Sequence, residues 1–410
     1  MYKTLLRSTA MACALFTAAC TETETALIEE PDQTTAEQPT PKNATDTPVK
    51  KIEVAHNDQQ KSVRVEPEKK PAQPQSQPVT APAAPAVAQV QTNAPTTQPA
   101  PRIVTRTPFP VKKCMNMGNA LEAPNEGEWG YSIRERDLKL IKRAGFDTIR
   151  LPVRWDTHTA NRAPYTIDAP FMARVQTVIQ QAQTAGLGVI LDVHHFEKLM
   201  SHPRRQEARF LAIWTQISTT FKNAPANVYF EVLNEPTLEI NMAQVNALYA
   251  KVIPIIRSTN PTRKIIIGGN SWNSVETLAE VKWPDDPNIV ATFHDYGPHA
   301  FTHQGAEWSE PVMPMGRRWG GREDAQELKS TYDIANAFRA KTGLPLLIGE
   351  FGVIDKVPQP QRMQWTKIRR QTMEANNMAW CAWDFSGAFK SYDLATEQWL
   401  PGVQDALFGP

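Results

Sequence analysis

Glycine does not occur before Gly118 in this 410-residue chain, and tryptophan does not occur before Trp129. Between Thr21 and Pro110 the only aromatic residue is Phe109, while 15 of the 34 prolines fall there. Such a stretch has too little apolar surface to offset the entropy of ordering it. Residues 20–110 therefore read as a disordered tether rich in Pro, Thr and Gln. Charge of one sign is also lacking. The 44 basic and 43 acidic residues nearly cancel, and the basic ones are scattered, so a nucleic acid or polyanion partner is not expected. There are four cysteines, too few for a disulfide network. No HExxH, no cysteine cluster and no Gly-rich turn after the first predicted strand is present. Those absences remove the usual signatures of a zinc hydrolase and of a dinucleotide site. No cofactor and no metal are expected.

The N-terminus has a targeting layout. Lys3 and Arg7 precede an apolar run, 10–19, that is too short to span a bilayer and ends at Thr17-Ala-Ala-Cys20. Small residues directly before Cys20 resemble a bacterial lipoprotein cleavage box. Residues 1–19 are then the signal peptide, and Cys20 is the lipidated first residue of the mature chain. The expected place is the bacterial cell envelope, with the lipid as its membrane contact. A plain secretory peptide is the alternative. Cys114 and Cys381 remain, on the first and last predicted strands. One disulfide is possible there, but two buried thiols are expected, because strand-to-strand geometry often forbids a bridge.

From 111 to 410 the pattern is strand, helix, strand, repeated. Apolar runs at 114–118, 146–152, 189–194, 228–233, 265–268, 289–294, 346–349 and 379–385 read as buried parallel strands. Helical spacing recurs at 132–144, 171–185, 205–222, 245–259, 324–342 and 361–376, with short helices near 275–279 and 403–407. Eight buried strands alternating with helices over about 300 residues point to a single (β/α)8 TIM barrel of the α/β class. An open doubly wound sheet is the runner-up. The domain is expected to be a monomer.

Two glutamates end two of these strands. Glu235 sits in Val228-Tyr-Phe-Glu-Val-Leu-Asn-Glu-Pro236, and Glu350 in Pro345-Leu-Leu-Ile-Gly-Glu-Phe-Gly352. A carboxylate at the mouth of a buried strand is a costly place for a charge. Barrel enzymes put their chemistry at the C-terminal strand ends, and other polar residues fall there too. Asn119 and Glu122 follow strand one, Arg150 ends strand two, and His194 and His195 end strand three. Asn234 precedes Glu235. Asn270 and Trp272 follow strand five, His294 and Tyr296 end strand six, and Trp383 ends strand eight. A retaining glycosidase needs one carboxylic acid and one carboxylate nucleophile. Arg150 beside Glu350 would keep the nucleophile ionised, and a buried Glu235 near negative charge would stay protonated. Asn234 is placed for a sugar 2-hydroxyl. Taken singly, Glu235 also suits a helix N-terminus and Arg150 a structural ion pair. His194 and His195 point to opposite faces of a strand, which suits chelation poorly. The loop 297–321 reads as a cleft wall with His303 and Trp308 as sugar contacts, or else as a packed flap.

These residues resemble glycoside hydrolase family 5. Asn234-Glu-Pro236 and Gly349-Glu-Phe-Gly352 are similar to the family's acid/base and nucleophile motifs. Arg150, His194 and His294-Asp-Tyr296 match its other invariant positions. The resemblance covers roughly 112–410. The stretches Asn116–Trp129, His195–Met200 and Phe301–Trp308 are similar to a bacterial subfamily of endo-β-1,4-glucanases, some of which cleave mannan. The resemblance implies a retaining, endo-acting hydrolase of β-1,4-linked polysaccharide, with Glu235 as acid/base and Glu350 as nucleophile. It implies sugar contacts at Asn119, Glu122, His194, His195, His303, Trp308 and Trp383. A β-mannanase, a transglycosylase or a non-catalytic carbohydrate-binding barrel are the alternatives. Two positions depart from the family pattern. Cys114 stands where a small residue is common. Asp295 stands where an aromatic is frequent, with an expected effect on the cleft wall and substrate preference.

Overall fold

The computed structural model describes residues 104–410. The signal peptide, Cys20 and most of the tether lie outside the described residues. Among the described residues, no helix is long and apolar enough to cross a membrane.

Eight parallel strands close into a barrel in the order β1 to β8. They are β1 (Lys113–Asn116), β2 (Thr148–Leu151), β3 (Gly188–Asp192), β4 (Val228–Glu231), β5 (Ile265–Gly268), β6 (Ile289–Asp295), β7 (Leu346–Phe351) and β8 (Ala379–Ala382). Seven of the eight are buried at every residue, which explains why they appear as mainly apolar runs. The helices between them are α1 (Glu135–Ala144), α2 (Ala169–Thr184), α3 (Glu197–Ser201), α4 (Pro203–Thr220), α5 (Met242–Thr259), α6 (His299–Thr302), α7 (Arg322–Thr342), α8 (Gln359–Ala375) and α9 (Val403–Phe408). A two-stranded hairpin, β9 (Tyr392–Asp393) and β10 (Gln398–Trp399), precedes α9. The expected elements are all present, with ends shifted by a few residues. The additions, α3, α6 and the hairpin, are too short to carry a periodic signal.

The inner face of the barrel changes character in a single step. Cys114, Ile190, Tyr229, Ile266, Val290 and Leu347 form an apolar layer near the strand starts. Two residues further along the same strands, hence on the same face, stand Asn116, Asp192, Glu231, Gly268, Thr292 and Gly349. The upper floor of the barrel is thus polar or small. Below, the chain ahead of β1 covers the strand starts. Phe109 packs edge-on against Tyr229 at 5.2 Å, and Arg106 Nη1 donates to the Asp286 carbonyl at 2.7 Å. Ordered packing thus starts a few residues before 111.

The expectation of two free thiols is corrected: Cys114 and Cys381 form a disulfide. Closure of the barrel makes the first and last strands neighbours, and the register sets Cys114 directly against Cys381. An open sheet would have left them at opposite edges.

Candidate active site

One side chain organises the polar floor. Arg150, on β2 and fully buried, grips Glu231 as a fork, with Nε donating to Oε2 at 2.7 Å and Nη2 to Oε1 at 2.8 Å. Its Nη1 donates to Glu350 Oε1 at 2.7 Å and to Asn116 Oδ1 at 2.9 Å. Its Nη2 also reaches Asn234 Oδ1 at 2.6 Å and lies 2.9 Å from Asp192 Oδ2. Burial works against this cation, but the carboxylates of Asp192, Glu231 and Glu350 together outweigh it and hold Arg150 firmly protonated. The carboxylates feel the same burial. Asp192 is pushed up to about 7 by burial against the pull of Arg150, and Glu231 is pushed up as well.

Glu350 lies on β7 where the register with β6 and β8 is irregular, and this turns its carboxylate into the barrel mouth opposite His294. Its second oxygen, Oε2, accepts from the Tyr296 hydroxyl at 2.8 Å. The sequence suggested that Arg150 would lower this group's pKa and keep it ionised. Arg150, His294 and Tyr296 do pull it down, but burial is larger and the net direction is upward.

Glu235 lies beyond the end of β4, where Asn273 Nδ2 donates to the Asn234 carbonyl at 3.0 Å. Asn273 reaches that carbonyl across Gly268; any Cβ on Gly268 would collide with its amide. Glu235 is the more open of the two acids, with 25% of its side chain exposed against 6% for Glu350. Its Oε1 lies 2.7 Å from His294 Nδ1. Burial pushes Glu235 up to about 8, aided by the charges of Asp192 and Glu231 and opposed by Arg150. The raising neighbours are therefore these two floor carboxylates, which the sequence reading did not single out. Burial also lowers His294 to about 4 and His194 well below its ordinary value, so both rings are neutral near pH 7. His294 Nε2 has no protein partner, which fits an Nδ1–H tautomer donating to Glu235.

One oxygen of Glu235, one of Glu350 and a ring nitrogen of His294 lie within 4.8 Å of one another. Among the described residues these are the His and carboxylate groups that could close on a cation. The guanidinium already bonded to Glu350 competes with any metal there.

Two arms of rings leave this centre. On one side Trp383 stacks on His194, nearly parallel at 5.5 Å; His194 meets His195 at 4.7 Å, and His195 meets Trp129 at 5.9 Å. On the other, Tyr296 meets His303 at 4.9 Å, His303 meets Phe389 at 5.0 Å, and Phe389 meets the exposed Trp308 at 6.4 Å. The loop carrying His303 and Trp308 is folded on itself, with buried Gln304 bonding to the Arg317 carbonyl and the Gly316 amide. Beside Glu235, the exposed Trp272 sits in a left-handed run of Ser271, Trp272 and Asn273 and donates its backbone N–H to the Pro236 carbonyl at 3.3 Å.

Two expected residues sit differently. Glu122 is buried and turns its oxygens to the backbone N–H groups of Asn119 and Ala120, beneath the β1 loop. Burial pushes it up to about 8. Asn119 donates to the fully buried Asp384, next to Trp383 in the chain. Asp295 is corrected more sharply. It does not face the cleft, but points outward between α7 and α8 and is bonded by Arg369 and Tyr332. Alternation along β6 sends His294 and Tyr296 inward and Asp295 out. Asn116, Asp192 and Glu231 are the site residues that the reading passed over. Their only trace in the sequence is a polar or charged residue inside a buried strand, a pattern that does not say which face the residue takes.

Comparison with known proteins places this geometry. The family model described as Cellulase (glycosyl hydrolase family 5) matches residues 112–389. Endoglucanase H of Acetivibrio thermocellus is 36% identical over 302 residues, covering 72% of this chain but 32% of that protein. The chain thus spans about a third of that curated relative's length. Solved structures of Thermotoga maritima Cel5A with cellobiose and with mannotriose are 37% and 36% identical, each with a TM-score of 0.71. Each covers 73% of this chain and 97% of the solved one.

Proposed function

Because the chain belongs to glycosyl hydrolase family 5, we propose that it is a retaining, endo-acting glycosidase cleaving β-1,4-linked glucan. The observation that carries the reading is the facing pair Glu235 and Glu350, with carboxylate oxygens within 4.8 Å. Retaining enzymes hold their two carboxyls about 5–5.5 Å apart, and inverting ones leave a wider gap for a water.

In the first step Glu350 attacks the anomeric carbon while Glu235 gives its proton to the leaving oxygen. The proton sits on Glu235 near neutral pH because that carboxyl is pushed up to about 8. Glu350 attacks from an orientation fixed by Arg150 on one oxygen and Tyr296 on the other. Glu235, now ionised, takes a proton from the water that opens the glycosyl–enzyme ester. Asn234 has its amide oxygen occupied by Arg150, which leaves its NH2 free for the sugar 2-hydroxyl. Trp383 offers a face for the pyranose ring. Asn119, His195, His303 and Trp308 bind further hydroxyls and rings along the cleft.

Glucan is favoured by the endoglucanase relatives and by the Cel5A structure with cellobiose. A mannan activity on the same site is the second reading, favoured by the Cel5A structure with mannotriose. The protein works as a monomer, exported and held by a lipid on Cys20. Glu350→Gln should abolish release of reducing ends from soluble β-glucan with the fold intact. Near-normal turnover in that variant would sink the assignment. Cys20→Ala should move the protein from the membrane to the soluble fraction, and unchanged fractionation would remove the anchor.

A further inference from the structure

Behind the cleft, on the outer face of β6, lies a second buried charge cluster that the proposed mechanism does not use. Arg369 of α8 has no exposure and bonds both oxygens of Asp295, at 2.9 and 3.0 Å. Tyr332 of α7 donates to Asp295 Oδ2 at 2.7 Å. The other end of Arg369 pairs with Glu327 of α7, whose Oε1 accepts from Thr331 at 3.1 Å. An ion pair buried this deeply costs desolvation and is weak evidence of stabilisation by itself. Its position relative to Tyr296 is the informative part.

Every backbone polar group that follows the Tyr296 side chain is held by this cluster or its neighbours. The Tyr296 carbonyl accepts from Thr302 Oγ1 at 2.7 Å. The Gly297 amide donates to Asp295 Oδ1 at 3.3 Å. The Gly297 carbonyl accepts from Arg369 Nη2 at 2.6 Å and from Trp365 Nε1 at 2.8 Å. A Cβ on Gly297 would overlap the Glu327 carboxylate and push it out of its present place. β6 ends at Asp295, so no sheet ladder holds these groups. The side chains of Asp295, of Arg369 and Trp365 on α8, and of Thr302 in the short α6 turn do so instead, while α7 holds Asp295 and Arg369 in turn.

The geometry points to a positioning role: the Asp295–Arg369–Glu327 cluster fixes the backbone on which Tyr296 is carried, and so sets the hydrogen bond from Tyr296 to the Glu350 oxygen. Asp295 thereby acts on the nucleophile from the far side of the strand. The inference rests on the glycosidase reading for its kinetic consequence, but not for the bond itself. An error of about 1 Å in the placement of a catalytic group can cost on the order of 100-fold in rate, so a clamp this remote can matter.

The test is a double-mutant cycle between Asp295→Asn and Tyr296→Phe, read in two ways. The first readout is the titration of the Glu350 carboxyl by 13C NMR. Loss of the Tyr296 bond should raise its pKa. Asp295→Asn should therefore raise it alone, and add nothing in the Tyr296→Phe background. The second readout is kcat on dinitrophenyl β-cellobioside, whose leaving group needs no proton from Glu235. Asp295→Asn should lower kcat about tenfold with little change in KM. Again there should be no further loss on top of Tyr296→Phe. Glu327→Gln, at the more exposed end, should give a smaller effect with the same coupling, and serves if Asp295→Asn fails to fold. Losses that multiply, or a Glu350 titration that does not move, would overturn the positioning role. A wild-type protein inactive on every glycoside would instead defeat the glycosidase reading, and the titration cycle would still decide this one.

Discussion

Arg150 Nη2 donates to Asn234 Oδ1 at 2.6 Å, so the guanidinium that holds Glu350 also orients the amide beside Glu235. The two halves of the site are linked through one residue on β2. Arg150 also stands between Glu231 and Asp192, and its removal would leave both buried without a cation. Arg150→Lys keeps the charge but cannot make the fork, the Glu350 bond and the Asn234 bond together. Arg150→Met should destabilise the fold by about 3–5 kcal/mol, since breaking one side of a buried pair leaves an uncompensated charge. Arg150→Lys should cost less stability but most of kcat. Denaturant unfolding alongside kinetics checks both.

The pH profile follows from the two carboxyls. The proposed mechanism requires Glu350 ionised and Glu235 protonated. Glu235 is raised to about 8, so kcat/KM should fall as pH climbs through that region and the acid is lost. Glu350 is raised as well, so the acidic limb should lie above the ordinary carboxylate range. The limbs report the coupled pair rather than each residue alone. A substrate with a dinitrophenyl leaving group should lose the alkaline limb and keep the acidic one. Persistence of the alkaline limb would assign it to another group.

The disulfide joins residues 267 positions apart and seals the seam between β1 and β8. Cross-linking so long a loop constrains the unfolded chain, and losing such a bond typically costs about 2–5 kcal/mol. Cys381→Ser, or reduction before unfolding, should lower the denaturation midpoint while leaving kcat nearly unchanged, because the bond lies in the apolar floor below the site. An unchanged midpoint would contradict the seam role.

The barrel was legible because its strands are buried on both faces and its helices are amphipathic. Those two periodicities survive without any tertiary information. The ends of strands four and seven were legible too, since Glu235 and Glu350 interrupt apolar runs. Asp192 and Glu231 were not, because inside a parallel strand a charge can face the barrel or the helices. Asp295 illustrates the difficulty from the other side: next to His294 and Tyr296 in sequence, it faces away from them in space. The disulfide depended on the register that sets Cys114 against Cys381 across the closing seam, which no local pattern specifies.

Trp272 is 60% exposed and sits beside Pro236, next to the acid. If Glu235 is the acid, an exposed ring beside it would meet the leaving-group side of a polysaccharide. Trp272→Ala should raise KM for long oligosaccharides severalfold and leave aryl cellobiosides nearly unaffected. Equal effects on both substrates would show that the ring is not on the leaving-group side.

The stereochemistry of the first product tests the central claim most directly. 1H NMR of a cello-oligosaccharide digest at early times should show the β-anomer accumulating first, with the α-anomer growing only by mutarotation. That is the outcome for two glutamates whose oxygens lie within 4.8 Å, short of the roughly 6.5–9.5 Å that an inverting pair keeps for its attacking water. An α-anomer appearing first would mean inversion, and Glu350 would then not be the nucleophile.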